Sequence, residues 1–596
     1  MRKPLLLVLP LLCLACHSHP NIKKQTINLW EDFRQAEQTC FEDSCDSPAF
    51  KARQFLFQGK RRPVLVQQSA GSISFYVELK RQPSFSYSLV LPKKGQRVKT
   101  GIVVETDFPT SLRHEYDARE ANTLDLTPFE GRIVRLTLLA GGPQSDLESS
   151  MMWVNPIIEQ EGEPMRATVD RSQTFRERHR KDNLLIFLFD AGSAPHFGCY
   201  GYPKNTTPVI DSLARDGVMW QNAMTQAVST YISTGSLFTG LYPDAHQVLK
   251  PHDALWDRFK TMAECFQEGG FQTALFTSNP NASPAKGYDQ GFDSVWFPRP
   301  GPISADQFVP VVTSWVRKHA SQRFFGYVHF REPHAPYAPP HEFRARFDKH
   351  PDDPLPAYEM YTAPRTKEEI GRIVAAYDAN LAFADSQLGR ILEALRNIGV
   401  DHNTIIVVLA DHGEGFWQHG IQGHGHDVHA ETARIPLILR IPGETHLRGI
   451  RKSEFAGNID LLPTFLDLFA LSQKGTLLNG ESLLPILLNN ASRTRPLFTQ
   501  TAGQDAYALN TPLFRFLYYP KDDDRDNELY SWRDDPEEQH NLIERYPILA
   551  SFYRVQLRKE MMRIRTQRPE IPESQKRHAV IDTETEESLR ALGYVN

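Results

Sequence analysis

Two apolar runs in the 596-residue chain each end in an aspartate. The run "LLIFLFD" ends at Asp190, and "IIVVLAD" ends at Asp411. Open α/β sheets bind ligands outside the carboxyl ends of their strands, so two acids delivered there from distant parts of the chain can meet in one site. A single strand-end aspartate is also common as a turn residue or a helix N-cap. The pair therefore indicates a site only together with further polar residues.

Imidazole groups crowd the loop that follows Asp411. The stretch "HGEGFWQHGIQGHGHDVH" contains five of them: His412, His419, His424, His426 and His429. Clustered imidazoles bind transition metals or anionic oxygen atoms, and glycines let the backbone approach a ligand closely. The stretch "VHFREPHAPY" adds His334 and His329 after another strand. Solvation or core packing explains any one histidine but explains the whole set poorly.

The surrounding residues have the pattern of an α/β domain. Apolar runs such as "LLIFLF", "FFGYVHF" and "IIVVLA" alternate with helical patterns, as buried parallel strands do. The longest helix is predicted over about residues 368–397, with Gly399 just past its end. From about residue 494, "PLFTQT", "LFRFLYY" and "NELYSW" predict a small antiparallel sheet, followed by a helix near residues 548–564.

The chain before residue 170 has a different pattern. Short β-rich runs between about residues 69 and 158 predict a β-sandwich, which we interpret as a packing or glycan-binding appendage because it holds no cluster of His, Asp and Cys. The charged stretch "DRSQTFRERHRKD" reads as a linker. The predicted order is a sandwich domain over residues 17–170, a linker over 171–182, a catalytic domain over 183–490 and a C-terminal subdomain over 491–596.

Residues 1–16 have the pattern of an export signal. A charged start is followed by "PLLLVLPLLCLAC", which is too short to span a bilayer. Ala15-Cys16 resembles a bacterial lipoprotein cleavage site, although Cys13 stands where such sites usually carry Leu. We expect export to the bacterial cell envelope with Cys16 lipid-anchored to the membrane, and simple secretion is the alternative.

The charge balance limits the partners that we expect, and the cysteine positions limit the possible disulfide bonds. The 67 basic and 72 acidic residues nearly cancel, so we expect no nucleic-acid partner and local recognition of any charged substrate. Cys40 and Cys45 are close enough in sequence to bridge in an oxidising compartment. The sequence does not decide whether Cys199 meets Cys265.

The region from about residue 183 to 541 resembles the sulfatase-like branch of the alkaline phosphatase superfamily. The resemblance rests on ordered motifs: "NLLIFLFDAGSAPHFGCYGYPKNTTPVIDSLARDGVMWQNA", "REPHAPY", "LADHGEGFWQHG", "GHGH" and "RIPLILRIPG", with a terminal "ESLRALGYV" that recurs in some bacterial members. The fold class it implies is α/β, with an alkaline phosphatase/sulfatase-like mixed sheet between helices and a small C-terminal antiparallel sheet. The predicted N-terminal β-sandwich precedes this domain.

The chain departs from the sulfatases at the nucleophile. They carry Cys or Ser in a C/S-x-P-x-R motif, which is oxidised to formylglycine. Counting back from Thr239-Gly240, the resemblance places Thr230 at the nucleophile, Ile232 at the proline and Thr234 at the arginine. Thr230 cannot form formylglycine because its β-carbon already bears a methyl group. Ala191 also replaces the second of the family's paired aspartates.

Threonine stands at this place in the related phosphoethanolamine and phosphoglycerol transferases, whose similar sites hold one metal. The resemblance implies that one divalent ion is bound by Asp190, Thr230, Asp411 and His412. Zn²⁺, Mn²⁺, Ca²⁺ and Mg²⁺ all stay open as its identity. It further implies that Thr230 is the nucleophile, while His334 and His424 contact the phosphoryl oxygens or protonate the leaving group.

Three functions are compatible with these residues. The first is an exported metal-dependent hydrolase or transferase that acts through Thr230 on phosphoester or phosphodiester groups, with an anionic ester of a glycan or a lipid headgroup as substrate. The second is a sulfuric ester hydrolase that works without formylglycine. The third is a non-catalytic cell-surface binding protein in which Thr230 is only a helix N-cap.

Overall fold

The computed structural model describes residues 24–40, 48–57, 60–67, 70–90, 99–118, 123–141, 151–162, 172–298, 303–356, 365–489, 491, 493, 495–520, 526–572, 576–579, 582–584 and 586–587. The predicted export signal, Cys16 and Cys45 lie outside the described residues. The chain divides into two compact units, one of residues 1–168 with 546–552 and one of residues 169–545 with 553–596.

The first unit contains two antiparallel sheets. Its strands are β1 (Lys24–Asn28), β2 (Glu37–Cys40), β3 (Phe50–Phe57), β4 (Lys60–Gln67), β5 (Gly71–Glu78), β6 (Arg81–Val90), β7 (Lys99–Thr106), β8 (Leu112–Tyr116), β9 (Thr123–Asp125), β10 (Ile133–Gly141) and β11 (Met152–Glu161). One sheet has the order β3-β4-β11-β6-β9, with β1 also paired to β11, and the other has the order β2-β5-β10-β7-β8. Alternate side chains of both sheets, such as Phe75, Phe85 and Trp153, share one apolar core. The predicted β-sandwich is confirmed.

The second unit is built on an eight-stranded mixed sheet. Its strands are β12 (Asn183–Phe189), β13 (Val218–Met224), β14 (Gln272–Thr277), β15 (Ser294–Trp296), β16 (Phe324–Phe330), β17 (Thr404–Leu409), β20 (Leu437–Arg440) and β21 (Ile450–Gly457). The order is β15-β14-β16-β12-β17-β20-β13-β21, in which β20 runs antiparallel to β17 and β13. The central strands β12, β16 and β17 are parallel and buried along their whole length, which explains their unbroken apolar sequences.

The second unit also contains two smaller sheets. A short hairpin pairs β18 (Gly415–Phe416) with β19 (Gln422–Gly423) in the loop after β17. The second is an antiparallel meander of β22 (Leu497–Gln500), β23 (Tyr507–Asn510), β24 (Phe514–Tyr518) and β25 (Glu528–Ser531). This meander is the small C-terminal sheet that the sequence predicts.

Twelve α-helices occur in the described part of the chain. They are α1 (Ser172–His179), α2 (Pro208–Asp216), α3 (Thr230–Thr239), α4 (Pro243–His246), α5 (Met262–Glu268), α6 (Phe308–His319), α7 (His341–Phe347), α8 (Lys367–Ile398), α9 (Ala430–Ala433), α10 (Leu461–Leu468), α11 (Leu484–Asn489) and α12 (Pro547–Gln567). Helix α8 lies within two residues of its predicted bounds, because a capping box of Thr366 and Glu369 starts it and Gly399 ends it with φ 86°. Among the described residues, no helix combines the length and the apolar character that a membrane span requires.

The segment predicted to be a linker, residues 171–182, contains helix α1 instead. Phe175 and His179 lie four residues apart on one face, with ring centroids 4.7 Å apart, and both are buried. His179 also contacts the carboxylates of Asp182 and Glu444 at 2.8 Å each. The many charged residues of this segment suggest an exposed linker, but it forms an ordered helix because His179 contacts Glu444, which is far away in the sequence.

Candidate active site

The two strand-end acids meet at the centre of the large sheet. Asp190 directly follows β12, and Asp411 follows the neighbouring parallel strand β17 by two residues. Both side chains are buried, and the backbone N–H of Ala191 donates to Oδ1 of Asp411 at 3.1 Å. The strand order therefore brings together two acids that lie at positions 190 and 411 of the chain.

Thr230 enters the site at the start of helix α3. Its Oγ1 lies 3.5 Å from Oδ1 of Asp190 and 3.2 Å from Nε2 of His412. Ser229, with extended backbone, occupies the N-cap position, and Thr230 is the first helical residue. The N-cap interpretation of Thr230 therefore does not describe its position, since its hydroxyl faces an acid and an imidazole.

His412 turns one ring nitrogen towards this group. Its Nδ1 lies 2.9 Å from the carbonyl oxygen of Gly413, which can only accept, so Nδ1 carries a proton. Its Nε2 lies 3.4 Å from Oδ2 of Asp411 and 3.9 Å from Oδ1 of Asp190. A second group that fixes one ring nitrogen and leaves the other directed inward is typical of metal-binding histidines.

The two carboxylates place strong negative charge in a buried position. Burial raises the pKa of Asp411, and the charge of Asp190 raises it further. Burial also opposes ionisation of Asp190, but the neighbouring His334 and His329 hold the pKa of Asp190 well below its usual value. Burial lowers the pKa of His412, whereas the charges of Asp411 and Asp190 raise it above its usual value. A bound cation would relieve the same negative potential.

The donor atoms fit a divalent cation. Oδ2 of Asp411 is buried and has no hydrogen-bond partner among the residues that the structure describes. Ligand atoms of Asp190, His329 and Asp411 lie within 4.8 Å of one another. Two carboxylates, one of them with an unsatisfied buried oxygen, and imidazole nitrogens are the mixed O/N set that divalent metals bind in proteins. The four residues implied as ligands converge, and their binding of a metal stays a prediction.

His329 and Asn279 complete the surroundings of Asp190. Nε2 of His329 lies 3.3 Å from Oδ2 of Asp190, and Nδ1 of His329 contacts the hydroxyl of Tyr327 at 3.2 Å. The side-chain amide of Asn279 donates to the same Oδ2. His329 is one of the imidazoles that the sequence indicates, whereas Asn279 is not among the predicted residues. Asn279 follows strand β14 by two residues, so the strand-end rule that found the two acids would have found it too.

The two histidines implied as catalytic lie beside His412. The rings of His424 and His412 have centroids 4.1 Å apart, and those of His334 and His424 are 5.0 Å apart. The backbone N–H of His334 donates to the carbonyl oxygen of Asp190 at 3.0 Å. The structure thus brings both rings to the site, and their chemical role stays a prediction.

Glu414 positions His424 and is not among the residues that the sequence predicts for the site. Its Oε1 lies 3.0 Å from Nδ1 of His424, and its Oε2 accepts a hydrogen bond from the hydroxyl of Tyr337 at 3.1 Å. Burial raises the pKa of Glu414 to about 7, against the opposite effect of His334 and His412. Its position two residues after His412 is the feature of the sequence that could have indicated it.

The other clustered histidines lie elsewhere. The ring of His419 stacks on that of His429 at 3.7 Å, and Nδ1 of His419 contacts Glu431 at 2.8 Å. His429 contacts Asp427 at 2.7 Å and Glu528 at 3.0 Å. His426 is exposed. Only His412 and His424 of the five belong to the site.

Two positions of the site lack the family's charged groups. Ala191 has the left-handed φ of 57°, and its carbonyl oxygen accepts a hydrogen bond from Tyr377 at 2.8 Å. The side chain of Thr234 is buried, and its Oγ1 has no hydrogen-bond partner in the described part of the chain. The site therefore carries a methyl group and a hydroxyl where the family has an acid and a guanidinium.

The site is closed to solvent in this structure. Thr230, Asp190, Asp411 and His412 each have 0% of their surface exposed. A substrate can reach Thr230 only when some of the surrounding side chains move.

Acids and imidazoles that follow the strands of the sheet meet at one buried point, and helix α3 adds a hydroxyl group there. This arrangement defines an α/β protein with an ester-hydrolase type of site. Residues 182–471 match the sulfatase family model, and residues 424–567 match the model of the C-terminal region of N-sulphoglucosamine sulphohydrolase. The region of residues 182–471 is therefore sulfatase-like, as its ordered motifs predict.

Individual relatives are distant. The iduronate 2-sulfatase of Mus musculus is 26% identical over 333 residues, which are 44% of this chain and 60% of the mouse protein. The chain thus spans about three-fifths of the length of that relative. The solved phosphonate monoester hydrolase of Agrobacterium radiobacter has a TM-score of 0.53 and 20% identity, over 65% of this chain and 96% of its own. A structure solved with its substrate D-glucosamine-2-N,6-O-disulfate has a TM-score of 0.54 and 18% identity, over 65% and 97%. These two structures share the fold of this chain.

Proposed function

We propose that this chain is a metal-dependent ester hydrolase that uses the Thr230 hydroxyl as its nucleophile and acts on phosphoesters or phosphodiesters. The observation that carries the proposal is the position of Thr230 Oγ1, 3.5 Å from Asp190 and 3.2 Å from His412 in a buried site. The first turn of α3 also directs the positive end of its dipole to this position, which favours an anionic substrate group.

The proposed ligands are Asp190, Thr230, Asp411 and His412, with His329 as a further donor next to them. A divalent cation held there would supply the positive charge that favours the deprotonated Thr230 oxygen and polarises the phosphoryl group. The two buried carboxylates support such a cation, because they place net negative charge where water does not screen it.

The reaction of this chain's residues has two steps. Thr230 Oγ1, after release of its proton to solvent, forms a bond to phosphorus while the bond from phosphorus to the leaving oxygen breaks, and His334 or His424 gives that oxygen a proton. Water then attacks the phosphorylated threonine and returns its proton to the same ring. The bond from phosphorus to Oγ1 breaks and releases the phosphate product, and Oγ1 takes up a proton from solvent in place of the one released in the first step, which restores the Thr230 hydroxyl.

A sulfuric ester hydrolase that uses Thr230 directly is the second candidate. The observation that favours it is the family itself, since curated relatives of this chain are named as sulfatases. The phosphonate monoester hydrolase fold neighbour supports phosphorus instead. Thr230 decides our preference, because a threonine hydroxyl can be phosphorylated but cannot become the aldehyde hydrate on which formylglycine chemistry depends.

Within the anionic esters, we propose a glycan ester rather than a lipid headgroup. One fold neighbour was solved with a disulfated glucosamine as its substrate, and the family-model match to N-sulphoglucosamine sulphohydrolase covers residues 424–567. Export, with Cys16 as membrane anchor, remains a proposal from the sequence of residues 1–16.

A substrate panel tests the proposed function. Purified full-length protein is assayed with an aryl phosphate monoester, a phosphodiester, a phosphonate monoester and an aryl sulfate, after treatment with chelator and after addition of Mn²⁺, Zn²⁺, Mg²⁺ or Ca²⁺. We expect metal-dependent turnover of at least one phosphorus ester at a rate above that of the sulfate. Turnover of the sulfate ester alone would establish the second candidate. Turnover that chelation leaves unchanged would contradict the proposed metal dependence.

A further inference from the structure

A second group of potential metal ligands lies away from the buried site, on the surface of the same unit. It consists of His252, Asp253 and His578, whose ligand atoms all lie within 4.8 Å of one another. Nε2 of His252 lies 3.9 Å from Oδ1 of Asp253, and the ring centroids of the two histidines are 5.6 Å apart. Both histidines are exposed, so water can reach this group.

The backbone holds these residues in place. Oδ2 of Asp253 accepts hydrogen bonds from the N–H groups of Leu249 and Lys250 at 3.0 and 2.8 Å, which fixes the carboxylate with Oδ1 on the side of His252. Asp253 and His578 face each other in an antiparallel bridge. Residues opposed in such a bridge present their side chains on the same face.

Two further contacts position the loop around Asp253. The ammonium of Lys286, whose side chain is buried, donates to the carbonyl oxygens of Pro251 and Asp253. The N–H of Ala254 donates to the carbonyl oxygen of Arg577 at 3.1 Å, and the N–H of Ala579 donates to the carbonyl oxygen of His252 at 2.8 Å. These contacts hold the loop in place, and two backbone hydrogen bonds attach residues 576–579 to it.

We propose that His252, Asp253 and His578 bind one divalent transition-metal ion, with Zn²⁺ preferred, which clasps residues 576–579 onto the loop. Two imidazole nitrogens and one carboxylate oxygen suit zinc-like metals, whereas Mg²⁺ and Ca²⁺ prefer oxygen ligands alone. Tetrahedral zinc with bonds of about 2.0–2.1 Å needs ligand atoms roughly 3.3 Å apart. Rotation of the two exposed imidazoles closes the remaining distance, and water fills the fourth position.

The two metal sites differ in chemistry, which allows them to be separated. The buried site has two carboxylates at its centre, whereas the surface site has one carboxylate and two imidazoles that solvent can reach. We expect removal of a ligand from one site to leave binding at the other unchanged. The surface site rests on its own residues and does not depend on the proposed catalytic function.

Zinc titration of the full-length protein tests the surface site. Chelator-treated wild type, His252→Ala, His578→Ala and Asp411→Asn are compared by calorimetry with Zn²⁺ alone as the probe. His402→Ala, which removes an exposed imidazole elsewhere, is the matched control. We expect the zinc equivalent of the surface site to weaken at least tenfold in His252→Ala and His578→Ala and to stay unchanged in Asp411→Asn and His402→Ala. Zinc binding by His252→Ala and His578→Ala equal to that of wild type would overturn the proposal.

Hydrogen exchange of residues 252–255 and 576–579 gives a second readout. We expect zinc to slow exchange of the Ala254 and Ala579 amides at least tenfold in wild type and in Asp411→Asn, and to leave it unchanged in His578→Ala. Since His252 and His578 are exposed, their substitution leaves the core intact, and an unchanged melting temperature checks this. Zinc that binds only at millimolar concentration and slows no exchange would show adventitious surface binding and contradict the clasp.

Discussion

Oγ1 of Thr230 lies 3.2 Å from Nε2 of His412, although the two residues are 182 positions apart in the chain. The contact exists because α3 starts after β13 while His412 follows β17, and both approach the same edge of one sheet. The Thr230 hydroxyl therefore lies beside an imidazole and two buried acids. A purely structural role for this threonine does not require such an environment.

The first prediction concerns the nucleophile. Thr230→Ala should lower turnover of the preferred ester on the order of 10³-fold or more, because no other group replaces its oxygen. Thr230→Ser should keep measurable activity, since a primary hydroxyl can occupy the same position. Mass spectrometry of rapidly quenched wild type should find a phosphoryl group on the peptide that contains Thr230. Full activity in Thr230→Ala would instead assign the attack to water.

Thr230→Cys gives a separate prediction about formylglycine. Ile232 and Thr234 stand where the formylglycine motif has proline and arginine, so an introduced cysteine should remain a thiol. We expect alkylation of this residue by iodoacetamide after unfolding and no gain of sulfatase activity. Detection of an aldehyde on this peptide would show that the flanking residues do not matter.

A third prediction concerns the buried acids. Asp411→Asn keeps an oxygen for the hydrogen bond from Ala191 but removes the charge, so the protein should fold and lose metal affinity more than tenfold. Metal content after dialysis, measured by plasma mass spectrometry, checks this. Asp385→Asn is the matched control, because Asp385 is an equally buried acid that accepts from Val209 and Ile210 at the start of α2. A similar metal loss in both variants would argue against the site.

Much of this arrangement could be predicted because its signals are local. Strands β12 and β17 are apolar along their whole length and stop at a polar residue, so their ends, Asp190 and Asp411, are visible in the sequence. Helix α8 carries its own capping box and terminal glycine. Parallel strands of one sheet then place their ends together without any further information.

The rest depends on contacts between distant residues. The hairpin of β18 and β19 reverses the loop after His412, so that His424 returns to the site while His419 packs against His429. Nothing in the spacing of the five histidines shows which of them return. Helix α1 was missed for the same reason, since Arg176 pairs with Asp467 and His179 pairs with Glu444, both far later in the chain.

A fourth prediction concerns the backbone that carries His412. A Cβ at Gly413 would lie 2.1 Å from the carbonyl oxygen of Glu431, so Gly413→Ala must displace one of the two segments. We expect destabilisation by about 1–3 kcal/mol and a loss of activity through the shift of His412. Gly371→Ala is the control: it lies on the exposed face of α8 with open space around it and should stabilise the protein by about 0.5–1 kcal/mol. Calorimetric melting of both variants distinguishes these outcomes.

The last prediction is a pH dependence of stability at the stacked histidines. Burial alone lowers the pKa of His429, but hydrogen bonds to the carboxylates of Asp427 and Glu528 raise it to about 10. An unfolded histidine titrates near 6.5, so the folded state binds this proton more tightly. Its contribution to stability is then fully present below about pH 6.5, falls as the pH rises and is lost above about pH 10.

His429→Gln should therefore destabilise the protein at pH 6 by about 3 kcal/mol, because it leaves the buried carboxylate of Asp427 and the partly buried carboxylate of Glu528 without their cation. The difference from wild type should shrink steadily towards pH 10, where His429 is itself neutral. Melting temperatures of both proteins at pH 6, 8 and 10 measure this difference, with His426→Gln as the control because His426 is exposed and lies nearby in the sequence. A destabilisation of equal size at all three pH values would mean that His429 acts through its shape and hydrogen bonds, and that its charge contributes nothing to the stability of this contact.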